Sequence, residues 1–105
     1  MELKVFWTDF AKSELKNIFD YHKEKVSVKI AQQIVEQIVL TANELKSFPE
    51  IGAVEDFLES RSENFRYIIS TNYKIIYWIN KAKERIEIVD VFDTRQNPIK
   101  ISRKK

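Results

Sequence analysis

The sequence predicts an α+β domain, with an N-terminal strand and an antiparallel helical hairpin packed on an antiparallel β-sheet in the order β-α-α-β-β-β. Three observations carry that expectation. Val, Ile, Tyr, Phe and Trp dominate Phe65–Ser70, Tyr73–Asn80 and Arg85–Phe92, with only short polar breaks between them. Apolar residues recur at helical spacing from Phe10 to His22 and again from Ile30 to Leu45. The only glycine, Gly52, stands close to Pro49, between the helical and the strand-rich parts of the chain.

Taken in order, Glu2–Trp7 mixes Leu, Val, Phe and Trp and reads as the first strand. Thr8 is a natural N-cap, and Asp9 places an acid where the helix dipole favours one. Phe10, Ala11, Leu15, Ile18, Phe19 and His22 then form the stripe of an amphipathic helix reaching to about Lys25. Ser27 caps a second helix with the stripe Ile30, Ala31, Ile34, Ile38, Ala42 and Leu45, widened by Val35 and Val39. Phe48-Pro49 should end it, because proline disfavours a helical residue before it. With so short a link between them, the helices form an antiparallel hairpin.

Ala53–Leu58 reads as a short edge strand or, given Glu55, Asp56, Glu59, Ser60, Arg61 and Ser62, as an exposed loop. Ser70-Thr71-Asn72 and Lys81-Ala82-Lys83-Glu84 have hairpin length, and Asn72 tolerates the left-handed conformation that a tight turn often needs. The last three strands are therefore an antiparallel meander, since a parallel pair needs a crossover of about a dozen residues.

A chain of 105 residues supports one core, so residues 1–105 are read as a single domain. Hydrophobic residues at 44% and charged residues at 32% describe an ordinary soluble protein. No apolar run approaches the roughly 18 residues of a membrane span, and no secretory leader is apparent; a cytoplasmic location and no membrane partner are expected. Cysteine is absent, which excludes disulfides and Cys-ligated zinc. There is no glycine-rich phosphate loop or dinucleotide fingerprint, and no cofactor or metal is expected.

Charge is uneven. Residues 1–60 carry 7 Lys and Arg against 11 Asp and Glu, whereas residues 61–105 carry 11 against 5. A basic second half points to an acidic partner, either nucleic acid or an acidic protein surface.

Strict alternation puts Tyr73, Ile75, Tyr77 and Ile79 on one face of the central strand and Lys74, Ile76 and Trp78 on the other. In the last strand Ile86, Ile88 and Phe92 then oppose Val89 and Val91. Both faces are apolar at the centre, yet two helices cover only one. The other face is left for the C-terminal segment through Ile99 and Ile101, for a second copy of the chain, or for another protein. The residues expected to bind a partner are Ile76, Trp78, Val89 and Val91, with Arg95, Lys100 and Arg103 from the basic half.

The chain resembles the RelE/ParE superfamily, the toxins of type II toxin–antitoxin modules. The likeness rests on Trp7-Thr8 with Ala11 and Leu15, the Leu45–Pro49–Gly52 hinge, Arg66, Tyr73-Lys74-Ile75-Ile76-Tyr77, and the closing Asp93-Thr94-Arg95-Gln96-Asn97-Pro98. The resemblance implies a compact α+β toxin neutralised by a cognate antitoxin. It also implies one of two actions. RelE-like members cut mRNA on the ribosome with lysine, arginine and tyrosine; the matching candidates are Arg66, Lys74, Arg95 and Tyr73, with Tyr67 as an alternative tyrosine. A single Arg66 stands where a basic pair is expected, however, and no tyrosine follows Tyr77. ParE-like members bind DNA gyrase and cut nothing, and the sparse catalytic set favours that branch. A non-toxic interaction module of the same fold is the third reading.

Among single residues, His22 is expected to be packed or at the surface, not a base. Glu55, Asp56 and Glu59 lack the oxygen spacing of a metal loop and are expected to be solvated. Asp90, inside an apolar strand, requires a partner, and Arg66 or Arg95 is expected to supply it.

Overall fold

The computed structural model describes residues 3–55 and 63–96. Strand β1 (Lys4–Trp7) leads into helix α1 (Asp9–Lys25), helix α2 (Val28–Asn43) and a single 3-10 turn at Glu44–Lys46. Strands β2 (Ala53–Val54), β3 (Arg66–Ser70), β4 (Tyr73–Asn80) and β5 (Arg85–Asp93) follow. The five strands make one sheet in the order β1-β5-β4-β3-β2. The expected α+β architecture is observed, with one refinement. β2 to β5 pair antiparallel, but β1 lies parallel to β5, so the sheet is mixed.

Both expected caps form. Thr8 Oγ1 accepts from Ala11 N at 3.2 Å, and Ser27 Oγ accepts from Ile30 N at 3.1 Å; such caps are each worth about 1 kcal/mol. Thr8 also anchors α1 to the sheet, because its N–H and its hydroxyl both donate to Ile88 O of β5, at 3.0 and 3.1 Å. Helix α2 gives way to the 3-10 turn before Phe48-Pro49, as the proline requires.

The main core lies between the helices and the sheet. Ala11, Ile18, Ile38, Ala42 and Leu45 pack there against Tyr73, Ile75, Tyr77, Ile86, Ile88 and Val91. A smaller cluster, Phe65, Ile76, Val89 and Phe92, lies on the opposite face, with Tyr67 and Trp78 packed against it.

These memberships correct the alternation expected along β5. Ile76 pairs with Asp90 while the next residue, Tyr77, pairs with Ile88, so Val89 is the extra residue of a β-bulge. An extra residue reverses which side chains face the helices. Val91 therefore turns into the main core, 3% exposed, and Phe92 turns to the opposite face. Val91 is not the partner-facing residue that strict alternation makes it. The centre of the second face is also less open than expected, with Ile76, Phe92 and Val89 only 0%, 2% and 8% exposed.

In the β3–β4 turn Thr71 takes the left-handed conformation, at φ 54°. One local expectation is corrected as well. Glu55, expected in solvent, is 1% exposed. Its N–H donates to Phe65 O at 2.9 Å, and its carboxylate meets Lys74 Nζ at 2.9 Å. Asp56–Ser62, Asn97 and the segment with Ile99, Lys100, Ile101 and Arg103 lie outside the described residues.

Candidate functional site

A cleft of about 430 Å³ lies between α1 and the ends of β4 and β5. Helical spacing brings Glu14, Asn17, Ile18 and Tyr21 to one wall, and Tyr73, Val91, Asp93 and Arg95 form the other. Its floor is apolar, since Ile18, Tyr73 and Val91 are all buried.

Polar groups on the cleft's rim are tied to one another. Tyr73 Oη lies 2.8 Å from His22 Nε2, and the His22 ring stands edge-on to both Tyr21 and Tyr73. Burial pushes the Tyr73 phenol above its ordinary pKa, and the Asp93 charge adds to the rise, while Arg95 works against both. Arg95 closes on Asp93 through two parallel hydrogen bonds, Nε to Oδ1 at 3.0 Å and Nη2 to Oδ2 at 2.8 Å. That fork holds the Asp93 carboxyl below the usual carboxylate range, against the desolvation that would raise it. The same pairing raises Arg95, which stays charged. Just before Arg95, Thr94 donates from both its N–H and its hydroxyl to Asn72 O, each at 2.8 Å. The β3–β4 turn thereby sets the position of the Arg95 segment.

The sequence-derived candidates do not converge. Tyr73 and Arg95 meet at the cleft, but Arg66 and Lys74 lie elsewhere and on opposite faces of the sheet. Arg66 pairs across from Tyr77 on the helix side, where its Nη1 donates to Gly52 O at 2.8 Å and to Glu50 O at 3.4 Å. Lys74 lies on the other face, bonded to Glu55 and 4.2 Å above the centre of the Tyr67 ring. The pairing expected between Asp90 and Arg66 or Arg95 is not the one formed: Arg95 engages Asp93, and Arg66 engages backbone carbonyls. Trp78, on the second face, is half-buried beside Ile76 and Val89.

Two residues matter more than sequence reasoning allowed. His22 joins α1 to β4 through Tyr73, and its place on the inner stripe of α1 was the available signal. Tyr77 is fully buried, and its hydroxyl donates to Pro49 O at 2.7 Å and accepts from Gly52 N at 3.0 Å. Nothing in the local sequence announces that contact, because its partners lie 25 and 28 residues away.

Chemically the cleft is suited to binding. It combines an apolar floor, an aromatic edge and one exposed guanidinium, the pattern of a socket for a partner's side chains. Among the described residues no group of three His, Cys, Asp or Glu could hold a metal ion, and no helix is long and apolar enough to cross a membrane.

Comparison with known proteins places this geometry in context. A family model described as "ParE toxin of type II toxin-antitoxin system, parDE" matches residues 5–98. A chain of the solved "Chromosomal ParDE TA system from P. aeruginosa" superposes with a TM-score of 0.73 at 17% identity, over 88% of this chain and 96% of that one. At that identity the likeness speaks for the fold alone. No curated protein matches.

Proposed function

Because the chain belongs to the ParE toxin family of type II toxin–antitoxin systems, we propose that it arrests growth in the cytoplasm by binding DNA gyrase, and that a cognate antitoxin neutralises it. One observation carries the choice of a binding toxin over a nuclease: each cationic candidate is already engaged, and the set is split between two faces. Arg66 holds backbone carbonyls, Lys74 is paired to buried Glu55, and Arg95 is forked onto Asp93. Cutting an RNA backbone needs a base, an acid and cations gathered around one phosphate. A protein-binding toxin needs none of these.

The apolar-floored cleft supports the same reading, since it offers a partner protein a place to seat side chains. The burial of Ile76, Val89 and Phe92 leaves less apolar surface for a homodimer through the second face.

A ribosome-dependent ribonuclease is the second reading, favoured by the meeting of Tyr73 and Arg95 at one cleft. Two assays separate the readings. Purified protein titrated into a gyrase supercoiling and cleavage assay should inhibit supercoiling. Primer extension on mRNA from arrested cells should show no cuts within codons, and discrete cuts there would instead support the ribonuclease.

A further inference from the structure

We propose that the Phe48–Ile51 loop is a rigid knuckle by which the protein docks into an uncharged apolar pocket on its target protein. The proposal rests on the reading of the chain as a protein-binding toxin and names a surface for that contact away from the cleft.

Phe48 and Ile51 are each 64% exposed, more than any other large apolar side chain among the described residues. Scattered exposed apolar residues need no explanation. This pair differs because it sits on a loop held firmly from beneath. Buried Tyr77 bonds both ends of the loop, at Pro49 O and Gly52 N. Arg66 holds the carbonyls of Glu50 and Gly52, and Ile51 N donates back to Phe48 O at 3.2 Å. Gly52 fits only without a side chain, since a Cβ there would meet Tyr77 Oη at 2.5 Å and Tyr67 O at 2.7 Å. The core thus commits a buried tyrosine and an arginine to fixing a loop whose outer side chains have little to pack against. A loop ordered in advance loses little conformational entropy on binding, the property that lets a few apolar anchors dominate an interface.

Charge selects the kind of partner. Glu44 and Lys46 precede the loop with opposite signs, and Glu50, Glu63, Arg66 and Lys81 surround a small cavity on its flank. Among the described residues the signs there balance and offer no basic patch to hold a polyanion. An uncharged apolar pocket of a protein is its complement.

The test is the double variant Phe48→Ser/Ile51→Ser, with the single variant Ile51→Gln alongside it in case the double change disturbs folding. Both sites are exposed, so both variants should melt within a few degrees of the parent. The double variant should bind and inhibit purified gyrase at least about tenfold more weakly, and Ile51→Gln should lose part of that affinity. Undiminished inhibition by folded variants overturns the proposal. If the parent arrests growth but leaves gyrase untouched, the gyrase reading fails. The knuckle is then judged by growth alone, standing if the variants relieve arrest and falling if they do not. A parent that causes no arrest, or a parent dimer that the double variant dissolves in sedimentation equilibrium, also overturns it.

Discussion

Lys74 Nζ lies 2.9 Å from Oε1 of Glu55, and the Glu55 side chain is 1% exposed. This pair ties the end of β2 to the central strand and occupies the lysine best placed by sequence for a role in catalysis. Removing one partner leaves the other uncompensated. Glu55→Ala should therefore cost about 2–3 kcal/mol, somewhat below a fully buried pair because Lys74 keeps 19% of its side chain in solvent. Urea denaturation of parent and variant checks the figure.

If Lys74 serves structure and not catalysis, replacing both partners together should leave toxicity intact. Glu55→Gln/Lys74→Met removes both charges and keeps side chains of similar length at each site. The double variant should fold with a smaller loss than Glu55→Ala and still arrest growth on induction. Lost toxicity in a folded double variant would count for a chemical role of Lys74.

The seat beneath the Phe48–Ile51 loop gives a second stability test. Tyr77→Phe leaves Gly52 N–H and Pro49 O without their partner and should cost about 1–3 kcal/mol. Gly52→Ala drives a Cβ against Tyr77 Oη and the Tyr67 carbonyl, neither of which can give way freely, and should cost about 1–3 kcal/mol. The two changes act on one contact, so their effects should not add in a double-mutant cycle.

Stability should respond to pH through Asp93 and Tyr73. Asp93 is lowered by its Arg95 hydrogen bonds, so its contribution is present above the unfolded value of about 3.9 and is lost as pH falls through the lower folded value. Asp93→Asn should flatten the acid limb of a stability–pH profile. Tyr73 is raised chiefly by burial, so its contribution is present below about 10 and is lost as pH climbs through the higher folded value. Burial raises Tyr77 as well, so Tyr73→Phe should remove one of the late tyrosine transitions seen at 295 nm, and an unchanged titration would contradict this assignment.

Most of the fold was legible because local and global signals agree. Thr8 and Ser27 cap where the helical stripes begin, and the strand runs alternate with short polar turns. What escaped notice was non-local. The bulge at Val89 has no signature in its own residues, yet it moves Val91 into the main core and Phe92 out of it. Glu55 reads as surface from its acidic neighbours, and only the fold brings Lys74 to it. Tyr73 and Arg95, both singled out from the sequence, meet at the cleft, but their neighbours His22 and Asp93 come from the packing of α1 on the sheet. Arg66 and Lys74, which look like a converging pair on adjacent strands, are separated by the pleat itself.

The central claim, that this chain poisons by binding and not by cutting, is tested most directly by titrating the purified protein into a gyrase assay with supercoiled and relaxed DNA. The account predicts inhibited supercoiling together with accumulation of gyrase-cleaved linear DNA. Gyrase unaffected at large excess, while mRNA from arrested cells carries cuts within codons, would contradict it.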